Sequence, residues 1–203
     1  MRSLLDNFNK ITIPIFETDL EGAIRPNFVF HRSWDKLHSR CIEYPYAAAQ
    51  IGNSKKVLDV GTVNSDLIWI KWLESLPIEV HAVDYDRPKV DFVNIKFHKA
   101  DIRDIPLESN MFDKVFAISV IEHIGMMEPQ IVTEGNPEYD ENGDLKAFEE
   151  LIRVLKPGGV LVMTVPFGNS GEALEDQTAR MYTKDTIQRF NTIASNQSME
   201  YYE

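Results

Sequence analysis

The sequence predicts an α/β fold: a doubly wound, mostly parallel sheet with helices on both faces. Two observations support this prediction. Five short runs rich in apolar residues have the length of strands, and segments with a helical spacing of apolar residues separate several of them. The runs are nearly continuous in apolar character, which is typical of strands buried on both faces of a parallel sheet. Sheets of this kind bind ligands beyond the carboxyl ends of their strands.

The strand predictions come from apolar runs bounded by turn residues. The five predicted strands occupy residues 56–61, 79–85, 93–101, 112–120 and 160–166. Because acids stand at the ends of four consecutive runs, the carboxyl edge of the sheet is the place to look for a site.

The helix predictions rest on apolar residues that recur every three or four positions, with a capping residue in front. Helices are predicted at 65–77, 144–159 and 183–195, with Ser65, Asp144 and Thr183 as caps. The triplet at 157–159, Pro-Gly-Gly, is predicted to end the second of them. Ahead of the first strand, one helix is predicted to begin near Ser33 and another to have Pro45 at its first position.

The composition is that of a globular protein. The chain has 203 residues, of which 43% are hydrophobic and 26% charged, and this excludes wholesale disorder. No apolar run reaches the roughly 18–20 residues that a membrane span needs. Asp6 and Lys10 interrupt the N-terminal segment, so it does not have the pattern of a secretory signal. The single cysteine, Cys41, excludes an internal disulfide and a cysteine-based zinc site, and the cytoplasm is the predicted location.

The charge bears on the partners of the protein. The net charge is −11, and no run of lysine or arginine occurs, which disfavours nucleic acid. A small-molecule partner is predicted, with no membrane association, and the sequence leaves the oligomeric state open.

Acidic residues end or follow four consecutive predicted strands. They are Asp59, Asp84, Asp86, Asp101 and Glu122. A carboxylate accepts hydrogen bonds from ribose hydroxyls or an exocyclic amine, and it repels phosphate. This edge therefore predicts a ligand that has a ribose, an adenine and a cation, and no phosphate.

The motifs, taken in order, resemble a known family. The runs VLDVG, AVDYD, ADIRDIPLESNMFDKVFAISVIEHI and FEELIRVLKPGGVLVMTVPFG, within roughly residues 55–168, resemble class I S-adenosylmethionine-dependent methyltransferases of the Rossmann-like, type 11-like kind. The resemblance implies S-adenosylmethionine as cofactor and methyl transfer to an O, N or C nucleophile of a small-molecule or sugar-like acceptor. It implies a cofactor-binding methyltransferase domain at 55–203, preceded at 1–54 by an extension whose helices cover the site.

The resemblance also implies roles for single residues. Asp59 and Gly61 would lie beside the amino-acid part of the cofactor. The alternative for Asp59, a carboxylate inside an apolar strand, is structural support of the loop that follows, and the two roles are compatible. Asp84 would accept hydrogen bonds from the ribose hydroxyls, with Tyr85 next to it. Asp101 would meet the adenine amine.

At the far side of the predicted cleft, the resemblance implies a wall and two candidate bases. Ile102 would lie beside the adenine ring, and Ser119 would line the methionine end of the cofactor. Glu122 and His123 would lie near the methyl group and the acceptor as candidate catalytic residues. The alternative for His123 is a wall residue without chemistry, and adjacent residues such as these do not have the spacing of a metal site.

Two departures from the family pattern leave an alternative open. The loop at 61–65 has Val63 and Ser65 where the family has its second and third glycines, and a β-branched residue disfavours positive φ, so we expect a different loop path. The chain ends at 199–203, where the family adds an antiparallel strand pair, so we expect a sheet shortened at its C-terminal edge. Both favour an inactive methyltransferase-like binding module or partner subunit as the alternative.

Three further hypotheses concern the same region. A nicotinamide-dependent oxidoreductase needs G-x-G-x-x-G for its pyrophosphate, and Gly61 is the only glycine of the loop at 61–65, which disfavours this class. Residues 126–143 are predicted to form an insertion above the ligand edge, either a lid or an ordinary surface loop. Arg40, Glu43 and Tyr44 are candidates to touch the ligand from the N-terminal side.

Overall fold

The computed structural model describes residues 39–89, 91–126, 138–168, 178–196 and 198–201. The helices and strands lie in the order α1 (Arg40–Ala49), β1 (Lys56–Val60), α2 (Leu67–Ser75), β2 (Glu79–Asp84), β3 (Ile95–Lys99), β4 (Phe112–Ile118), α3 (Gly143–Val154) and β5 (Leu155–Thr164). Short 3₁₀ segments lie at Thr62–Asn64, Ile121–His123 and Thr186–Thr192. In the described part of the chain, each helix is too short or too polar to span a lipid bilayer.

The five strands form one sheet in the order β3-β2-β1-β4-β5, and every pair of neighbours is parallel. The strand order reverses between β1 and β4. Parallel crossovers are right-handed, so α2, between β1 and β2, and α3, between β4 and β5, cover opposite faces. The predicted doubly wound, Rossmann-like sheet is confirmed, and its switch point lies between β1 and β4.

One face of the sheet is packed against α1 and α2 through aromatic side chains. Trp69 of α2 is fully buried and stacks on Tyr44 of α1, with ring centroids 5.0 Å apart. It also makes an edge-to-face contact with Phe116 of β4, at 5.5 Å. These rings anchor both helices to the central strands, and such pairs add about 0.5–1.5 kcal/mol beyond their buried area.

The opposite face is packed against α3. Leu151 and Val154 of α3 are fully buried in one cluster with Leu58 of β1 and Val115 of β4. The periodicity of α3 thus points its apolar side at the centre of the sheet, and its polar side at solvent.

The β2–β3 connection lacks a helix in its described residues, and the β3–β4 connection lacks one throughout. Side chains alternate along β2, and Val80 and Ala82 join the core beside α2, so His81 points to the α3 side of the sheet. There it stacks on His98 of β3, with ring centroids 5.1 Å apart. Polar residues therefore cover the sheet where a helix is missing.

Three of the helix predictions are wrong. Helix α3 ends at Val154, not at residue 159, and β5 begins at Leu155, because a proline at position 157 cannot continue the helix and restrains the residue before it. Pro45 lies inside α1 and not at its first position. The last predicted helix is a 3₁₀ segment, Thr186–Thr192. The helix predicted near Ser33 begins outside the described residues.

Candidate functional site

A cleft of about 210 Å³ lies beyond the carboxyl ends of the strands, at the switch point. Its walls come from the loops after β1, β2, β3 and β4, with α1 on one side. The lining residues are Arg40, Gly61, Asn64, Ser65, Asp84, Tyr85, Asp101, Ile102, Arg103, Ile118, Ser119, Val120, His123, Ile124, Gly125 and Met126. The position is the one that parallel sheets use for ligands.

The loop after β1 needs glycine at a single position. Gly61 has a φ of +72°, and a Cβ there would overlap the side chain of Val120, which follows β4. Val63 and Asn64 lie in a 3₁₀ turn with ordinary negative φ. The missing second glycine is therefore accommodated by a tight turn, since no left-handed residue is required where Val63 stands.

Asp84, at the end of β2, connects this turn to the next loop. Its Oδ2 accepts the backbone N–H of Val63 at 2.8 Å, and its Oδ1 accepts that of Asp86 at 2.9 Å. The side chain is 7% exposed, and burial raises its pKa. Each carboxylate oxygen has two lone pairs, so each oxygen retains accepting capacity toward the cleft.

Asp101, after β3, is held by an arginine that sequence reasoning missed. Arg103 Nε lies 3.0 Å from Oδ1 of Asp101, and Nη2 lies 2.6 Å from Oδ2. Arg103 Nη1 also donates to the carbonyl of Glu138 at 3.3 Å. The forked pair fixes the Asp101 carboxylate at the cleft and joins it to the segment at 138–140. The only signal in the sequence is a basic residue two positions after a strand-end acid.

Ser119, after β4, has a left-handed backbone with a φ of +52°, which is uncommon for a residue other than glycine. Its N–H donates to the Thr164 hydroxyl at 3.0 Å, and its own hydroxyl donates to Oε1 of Glu122 at 2.5 Å. Backbone strain of this kind concentrates at functional sites. Ser119 lies in the cleft wall and Glu122 behind it.

The catalytic candidates Glu122 and His123 share one 3₁₀ turn but face different surroundings. Glu122 is fully buried, and burial raises its pKa to about 7. His123 lines the cleft, and its Nδ1 lies 2.7 Å from the carbonyl oxygen of Thr178. A carbonyl only accepts, so Nδ1 carries the hydrogen and Nε2 is the basic nitrogen of the neutral ring. Nothing in the sequence signals Thr178, which lies 55 residues away.

Asp59 does not line the cleft. It points from β1 toward α2, where Oδ2 accepts the Thr62 hydroxyl at 2.5 Å and Oδ1 accepts the Trp69 indole N–H at 2.9 Å. Burial raises its pKa to about 7. Asp59 therefore ties the turn after β1 to α2, and its contacts are those of a supporting residue.

Helix α1 supplies a cation to the cleft. Arg40 lines it and forms an ion pair with Glu43, one turn further along α1. Glu43 Oε1 accepts the Thr164 hydroxyl at 2.7 Å, which joins α1 to the end of β5. Tyr44 accepts the backbone N–H of Asp66 at 3.0 Å and does not line the cleft.

The sequence-predicted site residues thus divide into two groups. Those brought to one cleft are Gly61, Asp84, Tyr85, Asp101, Ile102, Ser119 and His123. Asp59 and Glu122 lie behind its wall. Their roles toward a ligand stay predictions.

Comparison with known protein families gives a match over the centre of the chain. A family described as "Methyltransferase domain" matches residues 58–163, just over half of the 203 residues. No curated protein matches the sequence.

Solved structures share the fold at low identity. The 1,6-didemethyltoxoflavin-N1-methyltransferase of Burkholderia thailandensis, bound to 1,6-didemethyltoxoflavin and S-adenosylhomocysteine, is 16% identical with a TM-score of 0.54, covering 74% of this chain and 64% of its own. The [4+2]-cyclase SpnF is 19% identical with a TM-score of 0.49, covering 66% of this chain and 48% of its own. A chain in the complex between the Haloferax volcanii Trm112 methyltransferase activator and the putative methyltransferase is 16% identical with a TM-score of 0.47, covering 67% of this chain and 58% of its own. The chain spans about half to two thirds of these structures.

Proposed function

Because the chain belongs to the family of methyltransferase domains, we propose that it transfers a methyl group from S-adenosylmethionine to an O, N or C nucleophile of a small-molecule or sugar-like acceptor. One observation carries the proposal: the strand-end residues Asp84, Asp101 and Ser119 line a single cleft at the switch point of the sheet. The fold alone does not identify a reaction, because one fold supports many activities and function depends on the site.

The residues present fit the proposed cofactor in their order across the sheet. Asp101 and Ile102 follow β3, Asp84 and Tyr85 follow β2, and Gly61 follows β1. The strands are neighbours in that order. The parts of S-adenosylmethionine follow the same sequence, from adenine through ribose to the sulfur and its methionine chain.

The two carboxylates have acceptor capacity for the nucleoside. Asp84 is held by two backbone N–H groups, and its remaining lone pairs are proposed to accept the two ribose hydroxyls. Asp101 is held by Arg103 and is proposed to accept the adenine amine, with Ile102 against the ring. Both carboxylates are fixed before the ligand arrives, which lowers the ordering cost of binding.

Methyl transfer requires little of the protein beyond orienting the donor and the acceptor. S-Adenosylmethionine supplies a methyl carbon that is already electrophilic because it is bonded to a positive sulfur. The cleft holds donor and acceptor in line, and orientation contributes up to roughly 7–11 kcal/mol when alignment is good. Where the nucleophile carries a proton, Nε2 of His123 is the proposed acceptor of it, oriented by the Nδ1 bond to Thr178.

A small acceptor is favoured by the charge of the chain. The chain carries a net charge of −11, which opposes the approach of a polyanion. A binding module without activity is the second candidate, and its basis is the loop at 61–65, where Val63 and Ser65 replace two glycines of the family pattern.

Calorimetric titration of the full chain with S-adenosylmethionine and S-adenosylhomocysteine tests the proposed cofactor, with NAD as the control ligand. The proposal predicts saturable binding of both sulfur compounds and no heat from NAD. Saturable binding of NAD alone would contradict it. Binding of both sulfur compounds without methyl transfer to any member of an amine, hydroxyl and carbon-acid panel would favour the binding module.

A further inference from the structure

Glu122 is a buried carboxyl with a hydrogen bond to only one of its two oxygens in the described part of the chain. It is fully buried, its Oε1 accepts the Ser119 hydroxyl at 2.5 Å, and its Oε2 has no hydrogen-bond partner among the described residues. An ionised carboxylate in this place lacks the hydrogen bonds that normally compensate for lost water. The protonated form is neutral and avoids that cost.

The charged and titratable groups around Glu122 are few in the described part of the chain. Arg40 and Glu43 face it from α1, where they form an ion pair. Their effects on the pKa of Glu122 are opposite, because one is a cation and the other an anion. His123 Nε2 lies 3.8 Å away, and the Tyr182 hydroxyl, which hydrogen-bonds to Asp144, interacts with it from the segment at 178–182. Burial dominates this balance and raises the pKa of Glu122 to about 7.

The sheet order places the sulfur of the proposed cofactor near this group. With adenine at β3 and ribose at β2, the sulfur and methionine chain belong at the ends of β1 and β4. Ser119 is the cleft residue that follows β4, and its hydroxyl is bonded directly to Glu122. A charge that arrives at this end of the cleft therefore acts on Glu122 across one side chain, in surroundings with little water to screen it.

We infer that the Glu122 carboxyl gives up its proton when S-adenosylmethionine binds and regains one when S-adenosylhomocysteine takes its place. The inference rests on the proposed function. The ligands differ in charge at sulfur, because the donor is a sulfonium and the product a neutral thioether. In the protonated form, Oε1–H donates to the Ser119 oxygen. The proton leaves when this hydroxyl takes it up, releases its own hydrogen to water in the cleft and then donates to the Oε1 carboxylate.

This exchange makes the site specific for donor over product. The ionised Glu122 stabilises the sulfonium, whereas the protonated Glu122 leaves the thioether without an opposing charge. Below pH 7, donor binding must remove a proton, so its affinity relative to product weakens by up to about tenfold for each pH unit. Above that range the ratio becomes constant.

Calorimetry measures the exchange directly. Each ligand is titrated into the full chain at pH 6.5 in buffers of different ionisation enthalpy, and the dependence of the observed heat on the buffer gives the protons released. We expect the release with S-adenosylmethionine to exceed that with S-adenosylhomocysteine by about half a proton or more. Equal release from both ligands would overturn the inference and leave the proposed function standing. If neither ligand binds, both the inference and the proposed function are wrong.

Two variants identify the group. Glu122→Gln is expected to abolish the difference in proton release and to make the ratio of the two affinities independent of pH. Glu43→Gln, which removes the neighbouring carboxyl beside Arg40, is the matched control. Because Glu43 raises the pKa of Glu122, this variant should reduce the difference without abolishing it. If Glu43→Gln abolishes it while Glu122→Gln does not, the inference is wrong. If Glu122→Gln does not fold, the comparison of ligands on the unaltered chain and on Glu43→Gln still decides.

Discussion

The carboxylate of Asp84 accepts the backbone N–H of Val63 at 2.8 Å. This bond joins the end of β2 to the turn after β1, where the family pattern has a second glycine. It makes one carboxylate both a support of the loop and a wall of the cleft. The two functions are separable, because a ligand uses lone pairs that the backbone leaves over.

Asp84→Ala is expected to weaken the binding of S-adenosylhomocysteine tenfold or more, about 1.4 kcal/mol, because the ribose hydroxyls lose their acceptor. The temperature of thermal unfolding should fall as well, because the backbone N–H groups of Val63 and Asp86 lose their hydrogen-bond acceptor. Calorimetry and a melting curve on the same preparation measure both effects. Asp91→Asn, an exposed site in the β2–β3 connection, removes the same charge and should change neither. An unaltered dissociation constant in Asp84→Ala would exclude Asp84 from the site.

Alanine substitutions at two glycines with similar positive φ separate the effect of backbone strain from that of steric overlap. Gly61 has a φ of +72° and Gly158 of +79°, but a Cβ at Gly61 overlaps Val120, whereas one at Gly158 has no atom within 4 Å. Gly158→Ala should therefore destabilise the fold by about 1 kcal/mol through strain alone and leave cofactor binding intact. Gly61→Ala should destabilise it by more and lower the affinity for S-adenosylhomocysteine, because the loop and Val120 both line the cleft. Equal effects of the two variants on affinity would contradict this account.

Asp59 should make stability depend on pH near neutrality. Its pKa is raised by burial to about 7, above its value near 3.9 in the unfolded chain. The folded form holds the proton more tightly, so its contribution to stability is present below about pH 4 and is lost as the pH rises to about 7. Asp59→Asn mimics the protonated side chain, and its unfolding free energy relative to the unaltered chain should increase between pH 5 and 7.

The matched control for Asp59 is Asp113→Asn. Asp113 accepts the backbone N–H groups of Lys55 and Lys56 and pairs with Lys156, and its pKa is lowered to about 2. Its stability contribution is lost only as the pH falls through about 4 to 2, so the effect of Asp113→Asn should be constant from pH 5 to 7. Urea unfolding at each pH measures both differences. A constant difference for Asp59→Asn would show that Asp59 is ionised throughout.

The stacked histidines should oppose folding in acid. His81 Nδ1 lies 2.9 Å from Nε2 of His98, and His81 Nε2 lies 2.8 Å from Glu79. Burial lowers the pKa of both imidazoles, so the unfolded chain binds protons first and stability is lost as the pH falls below about 6.5. His98→Gln keeps a donor for His81 without a titrating ring. Its unfolding free energy should fall less between pH 7 and 5.5, and an equal fall would refute the assignment.

Local pattern was sufficient for the sheet and for the edge at which the cleft lies. The run predicted at 112–120 is β4, Phe112–Ile118, and the helix predicted at 65–77 is α2, Leu67–Ser75. Parallel strands end at one edge, and this brings Asp84 and Asp101 to one cleft, whereas Asp59 and Glu122 lie behind its wall.

Contacts between distant segments and the direction of single side chains did not follow from pattern. Asp59 points to α2 because Leu58 and Val60, on either side of it, pack toward α3. Arg103 on Asp101 and Thr178 on His123 depend on how loops return to the cleft, for which apolar spacing contains no information. The end of α3 was misplaced because Pro157 acts on the residues before it as well as on those after it.

The most direct test is a crystal structure of the full chain with S-adenosylhomocysteine. The account predicts the ribose hydroxyls within hydrogen-bond distance of the Asp84 carboxylate, and the adenine amine beside Asp101. It predicts the sulfur at the end of β4 next to Ser119. A ligand bound elsewhere on the chain, or bound in this cleft with its ribose out of reach of Asp84, would contradict it.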